Sequence, residues 1–408
     1  MTTNESKPGV GATLQLHALG LQDDMMYDLS GESTNPFTED IFVKSTQGAV
    51  EQKEEPFRDF KFGRTNRITL DRRGDMLSGV VLEIKLPALA DAGINDYWQE
   101  SIGYVLLKKM RLFLNDVELE SAERLWYHIY DNLFLPESVR GGMDDMIGTS
   151  QLRLSQSHTI LVPLKQFHCK RHGQRQVYLP LLGSYKGSTL SMEFDTETFS
   201  NCVTSYAGTQ ELTDLECTLI VDYIFLSNFE RERLVNKPYP VLVETVQDAE
   251  GYSFKEVQST SGDSFIPTDL VNIDMSEVNY PVKYIAFVAY STSDVLNKNY
   301  FTYSDIIDRV TLRFDNQDRT EDFDAAYYNL VEPFYRAKRC KNDNIHMYSF
   351  ALFPGDMQPS GHFTFRNIKR PSLSIKLKEK RKDIVVKCFI IGYRWITFSH
   401  GQAQALFI

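Results

Sequence analysis

A strand-and-turn pattern that occurs twice, about 200 residues apart, constrains this chain more than any other feature. Met110-Arg-Leu-Phe-Leu-Asn-Asp116 is echoed by Val310-Thr-Leu-Arg-Phe-Asp-Asn316. Each segment is an apolar strand running into a polar turn. Each leads to a short helical stretch bearing tyrosines, Ala122 to Phe134 in one copy and Glu321 to Leu330 in the other. Further on, Leu190-Ser-Met-Glu-Phe194 is echoed by Leu373-Ser-Ile-Lys-Leu377. Three features in the same order imply tandem duplication of one β domain. The length, 408 residues, also exceeds what a single core usually fills. The joint is expected between Glu230 and Lys237. That gives an N-terminal arm over 1–55, a first domain over 56–232 and a second over 233–408.

Within each half the pattern is one of short strands. Val80, Leu82, Ile84 and Leu86 alternate with Val81, Glu83 and Lys85, as in a strand with one buried face. Met110 to Leu114 and Val117 to Glu120, joined by Asn115-Asp116, predict a hairpin with a tight turn. Thr159 to Leu164, Leu190 to Phe194 and Cys217 to Leu226 add strands, the last apolar enough to be buried on both faces. The second half offers Tyr284 to Tyr290, Val310 to Phe314, Met347 to Leu352, Leu373 to Leu377 and Ile384 to Ile391. Helices are few. Ser121 is expected to cap one with Leu125, Ile129 and Leu133 on a face. Thr320 is expected to cap another, which Pro333 ends. Many short strands with regular turns mean a sandwich or barrel.

Composition narrows the function. Aromatic residues reach 12%, which suits strands and large buried contacts. A net charge of -11 disfavours direct binding to nucleic acid. The five scattered cysteines suit free thiols rather than a disulfide framework. Met1 to Gly11 lacks the apolar stretch of a signal peptide, and no run is long enough to span a membrane, so synthesis in the cytosol is expected. His168-Cys169 with His172 has ligand types but no partner pair, so a polar loop is the plainer reading. No nucleophile elbow or phosphate loop is present. Lys376 to Lys382 reads as a solvated hairpin tip.

One segment is far more specific: Tyr348-Ser349-Phe350-Ala-Leu-Phe-Pro-Gly-Asp-Met-Gln358-Pro359-Ser360-Gly361. It is a strand entering a loop of turn formers, with Gly361 suited to φ > 0. The string closely resembles a motif of the major capsid proteins of nucleocytoplasmic large DNA viruses. The resemblance runs over most of the chain. Leu14-Gln-Leu16 with Gly20 is similar to that family's N-terminal arm. Arg73-Gly74-Asp75-Met-Leu77 is similar to its first strands, and Val221-Asp-Tyr223-Ile-Phe-Leu226 with Glu230-Arg231 to its inter-domain region. Thr364, Arg366 and Asn367 depart from the pattern.

The resemblance implies an all-β double jelly roll, two tandem eight-stranded jelly rolls with few short helices. It implies a homotrimer of pseudo-hexagonal outline tiling an icosahedral shell, with no cofactor and no catalysis. The implied partners are the chain itself, neighbouring capsomers and minor capsid proteins, with an inner viral membrane nearby. The implied place is the virion, after assembly in the host cytoplasm. The nearest alternative is a double jelly-roll scaffold used only during virion assembly; a cupin-like enzyme or a lectin-like module are more distant ones. In the arm, Leu14, Leu16, Leu19 and Leu21 form a small apolar set expected to serve assembly rather than folding.

Overall fold

The computed structural model describes residues 9–18 and 47–406, apart from 72, 170, 173–174, 182–188, 205, 207, 237–238, 260–261, 316, 339–340, 342 and 400–401. Two sandwiches follow each other along the chain. The first is built from β1 (Gly48–Pro56), β2 (Thr65–Leu70), β3 (Met76–Leu86), β4 (Leu107–Leu114), β5 (Val117–Glu123), β6 (His158–Pro163), β7 (Leu190–Thr196) and β8 (Asp214–Leu226). The second uses β9 (Tyr239–Tyr252), β10 (Gly262–Asp274), β11 (Pro281–Ser291), β12 (Ile307–Phe314), β13 (Gln317–Asp318), β14 (Ile345–Ser349), β15 (Ser372–Arg381) and β16 (Ile384–Ser399).

The two topologies match strand for strand. One sheet of the first unit runs β1-β8-β3-β6 and the other β2-β7-β4-β5. Their counterparts run β9-β16-β11-β14 and β10-β15-β12-β13. All of these pairings are antiparallel. Short extra strands, such as Phe254–Ser259 and Gln402–Leu406, extend the sheets of the second unit. This is the double jelly roll that the duplicated pattern and the resemblance lead one to expect.

Local sequence explains the hairpin between β4 and β5. Asn115 and Asp116 take φ 51° and 61°, the left-handed conformation that residues with short polar side chains tolerate best. Asn115 Oδ1 also accepts from Thr189 N at 2.9 Å. Lys382-Asp383 joins β15 to β16, but these strands lie in different sheets, so the expected hairpin tip is instead a turn from one sheet to the other, and Lys376 to Arg381 belong to the end of β15.

Several expectations are corrected. Ser121 is not a helix cap: it lies in β5, opposite Arg111. The helix α2 (Arg124–Phe134) starts after the strand, with Glu123 at its N-cap, and α3 (Glu137–Ile147) follows. Thr320 caps no helix either; its Oγ1 accepts from Leu312 N at 3.0 Å. The second copy has a single π-turn (Tyr327–Val331) leading into α5 (Glu332–Arg336). Pro333 therefore opens a helix instead of ending one, since a first-turn proline has no N–H to leave unpaired. β8 alternates buried and half-exposed residues and is covered on one face only. The segment expected as an arm to residue 55 ends in β1, whose nine residues pair with Leu226 back to Thr218 of β8. Ahead of it, α1 (Val10–His17) rests against β1, with Ala12 buried and Gly9 N donating to Glu51 Oε2 at 2.8 Å. Leu16 is partly buried there and Leu14 is exposed, whereas Leu19 and Leu21 lie outside the described residues.

The units share a core. α2 lies between them, with the Trp126 ring 5.7 Å from Phe389 and 6.3 Å from Tyr284, and Phe134 5.3 Å from Tyr284. Tyr284, Ala286 and Val288 on one face of β11 belong to the cluster that fills the first unit. Ile285, Phe287 and Ala289 on its other face belong to the second unit's own cluster.

Candidate functional site

Three residue groups stand out: a cluster at the joint, the loop after β14, and the faces the units turn outward.

At the joint, residues far apart in sequence converge. Asp75 precedes β3 and is fully buried. Its carboxylate accepts from Leu226 N at 2.7 Å and from Arg231 at 3.0 Å. Arg231 stands on α4 (Asn228–Asn236), the helix that leaves β8, and Glu230 sits in that helix's first turn, where a carboxylate favours the dipole. Gly74 is required by close approach: a Cβ there would lie 2.7 Å from Tyr223 Cβ. Tyr223 in turn donates its hydroxyl to Asp71 O at 2.5 Å. Gly74, Asp75, Tyr223 and Arg231 thus form one device that fastens the exit from the first unit to the end of two inner strands of its own sheet. Spacing in the sequence could not reveal it, because Asp75 and Arg231 are 156 residues apart.

The loop after β14 is also held from below. Lys283, fully buried in β11, pairs with buried Glu244 of β9 and donates to Asp356 O at 2.6 Å. Its own carbonyl accepts from Phe350 N at 3.0 Å and Ala351 N at 3.2 Å. Ser349 Oγ donates to Ala351 O at 2.7 Å, and Ser360 Oγ accepts from Phe353 N at 2.9 Å. Gly361 has φ 136°, and a Cβ on it would fall 2.7 Å from Phe350 O. The Phe350 ring lies 5.1 Å from Tyr348 and 5.4 Å from Phe363. The motif's Tyr348, Ser349, Phe350, Ser360 and Gly361 therefore each have a structural task, while Gln358 and Pro359 are exposed on the loop. Lys283 and Glu244 were missed by sequence reasoning; a lysine inside an apolar strand was the available signal.

His168 is fully buried and its pKa is pushed down to about 3 by burial. Among the described residues no three His, Cys, Asp or Glu side chains converge as metal ligands. A cavity of about 530 Å³ opens at the seam. Lys298 there donates to Ser200 O at 2.6 Å, and Arg140 pairs with Asp144 at 3.0 Å. A second cavity, of about 560 Å³, is lined by Lys387, which pairs with Glu123, Asp248 and Glu250. Burial opposes its charge, but the three carboxylates raise its pKa. Among the described residues no helix is long and apolar enough to cross a membrane.

The outward faces differ. α5 and the loop beside it leave Phe334 (70%), Tyr335 (71%), Phe353 (62%) and Leu352 (54%) exposed as neighbours, with Arg336 donating to Leu352 O at 3.2 Å. An apolar patch of this kind on a folded surface suits an interaction site.

Comparison with known proteins agrees with this geometry. The family model for the major capsid protein N-terminus matches residues 37–227, and the model for the large eukaryotic DNA virus major capsid protein matches residues 230–389. The chain belongs to the major capsid protein family of large eukaryotic DNA viruses. The major capsid protein of Pyramimonas orientalis virus is 24% identical, covering 96% of this chain and 98% of its own. That of Paramecium bursaria Chlorella virus 1 is 24% identical over 94% of this chain and 91% of its own. Among solved structures, the PBCV-1 virus capsid gives a TM-score of 0.73 at 20% identity, over 90% of this chain and 98% of that one. The Faustovirus major capsid protein gives 0.70 at 10% identity, over 88% and 92%. These two show a shared fold. As a capsid protein of this family, the chain has a boundary between its two matched models, residues 227 and 230, at the very start of α4.

Proposed function

We propose that this capsid protein is a non-catalytic shell subunit that assembles as a homotrimer, three chains giving six jelly rolls in a near-hexagonal tile of an icosahedral virion. The observation that carries the reading is the duplication itself. Two units of matching topology within one chain let a three-fold object present six similar sides. The open apolar surface on the second unit supports a partner of the chain's own kind. The remaining partners are neighbouring capsomers and minor capsid proteins, with exposed Leu14 of α1 available for such contacts. Assembly takes place in the host cytoplasm, beside an inner viral membrane.

Electron microscopy of the purified protein, with sedimentation, tests this. Pseudo-hexagonal particles of about 141 kDa, three times the 47.0 kDa chain, are expected. A monomer at micromolar concentration would overturn the reading.

A further inference from the structure

We infer that the π-turn and α5 of the second unit seat on the outward face of the β1-β8-β3-β6 sheet of a second copy of this chain. The inference rests on the trimeric reading and names the surfaces that would make it.

Inside one chain, the helix that follows β5 covers the outward face of the next unit's sheet: Trp126 of α2 meets Tyr284 of β11 and Phe389 of β16. In the second unit the corresponding helical segment follows β13, and its outward side covers no described sheet. Phe334 and Tyr335 stand 70% and 71% exposed, flanked by half-exposed Leu330 and Val331. Conversely, β3 and β8 correspond to β11 and β16, yet nothing described covers their outward face. Val81 of β3 and Ile220 and Ile224 of β8 are half-exposed there, and Val50 of β1, opposite Ile224, is exposed. One chain therefore carries one unused donor helix and one unused acceptor sheet, the two halves of a contact it already makes once internally.

A contact between unlike surfaces repeats from copy to copy and closes a ring when the rotation allows. Charge agrees. The acceptor face bears Glu54, Glu83 and Asp222, and Arg336 and Lys338 flank the aromatic pair. The α1 helix does not obstruct the face, because it docks on the side of β1 that carries Ala49 and Glu51, opposite to Val50.

Two full-length variants test the assignment by sedimentation: Phe334→Asp with Tyr335→Asp on the donor, and Val81→Arg on the acceptor. Both are expected to fall from about 141 kDa to the 47.0 kDa monomer while retaining the circular dichroism of the native chain. Mixed one to one, they should form a dimer of about 94 kDa and nothing larger, since each keeps one working surface. A donor variant that stays trimeric overturns these surfaces and leaves the trimer standing. Wild-type chain that is monomeric overturns the trimer itself. A mixture that yields no dimer, with both variants folded, overturns the donor-to-acceptor pairing.

Discussion

Strands β3 and β11 hold corresponding places in the two units, yet they are buried differently. β3 alternates: Leu82, Ile84 and Leu86 are buried while Val81 and Glu83 are half-exposed and Lys85 is exposed. β11 is buried almost throughout, from Val282 to Ala289. The strand sequences follow suit, Val-Val-Leu-Glu-Ile-Lys-Leu in one and Val-Lys-Tyr-Ile-Ala-Phe-Val-Ala-Tyr in the other. Sheet topology does not decide which faces turn apolar; the neighbour does. The second unit's sheet has α2 of the first unit permanently against it, and its outward residues have become core.

The contrast should appear most strongly at the buried charges. Lys283→Met removes the ammonium that pairs with buried Glu244 and frees Asp356 O, so a loss of roughly 3–5 kcal/mol is expected in denaturant unfolding. Arg231→Met leaves Asp75 still accepting from Leu226 N and should cost less, about 1.5–3 kcal/mol. Equal losses would mean that the two units hold their charges alike.

Next in size is the comparison of turns. Gly361→Val forces a β-branched residue to φ 136° against Phe350 O and should cost at least roughly 1–3 kcal/mol. Asn115→Ala keeps a left-handed turn without the bond to Thr189 N and should cost about 1 kcal/mol. An unchanged melting temperature for Gly361→Val would refute the strain at that turn.

A smaller effect is shared by both units. Burial lowers His168 to about 3 and His346 to about 4. The unfolded chain protonates histidine near about 6.5, so below that pH the unfolded state takes up the protons. Stability should therefore fall as pH drops from about 6.5, by up to about 1.4 kcal/mol per unit for each histidine, and the loss levels off near the folded values. Glu55 and Glu332, raised by burial, oppose this at the acid end. Melting across that range with His346→Gln and His168→Gln should show each variant with a shallower slope; an identical slope would exclude the histidines as its source.

The smallest effect concerns the N-terminus. A chain starting at Gln47 loses α1 and should melt within about 1–2 kcal/mol of native, since among the described residues the apolar surface it withdraws is that of Ala12 and part of Leu16. A chain starting at Gln52 also loses the pairing of Gly48–Glu51 with Leu226–Tyr223 and should melt clearly lower. If the two truncations melt together, β1 does not belong to the first unit's cooperative core.

Periodicity made the strands readable, and the Asn115-Asp116 turn and the φ > 0 glycine were readable because each depends on local sequence. What stayed hidden depends on the partner across space. Ser121 and Thr320 are good caps by type, but pairing with Arg111 and a bond from Leu312 N claim them first. The Asp75–Arg231 pair and the Lys283–Glu244 pair join segments distant in sequence, and no spacing rule reaches that far. The two-sided burial of β11 was written in its unbroken apolar run, whereas β8 carries a similar run with Asp222 and Thr218 set to the outward face.

The seam at α2 has a kinetic consequence. Residues joined by one chain meet at an effective concentration set by their tether, in the millimolar range for short linkers, however dilute the protein. Trp126 therefore finds Phe389 during folding, without waiting for two molecules to meet. In a ring of three such chains, half of the unit-to-unit joints are closed before any two molecules collide. Formation of such a ring would then depend on concentration only through the other half, a third-order problem where six separate jelly rolls would pose a sixth-order one.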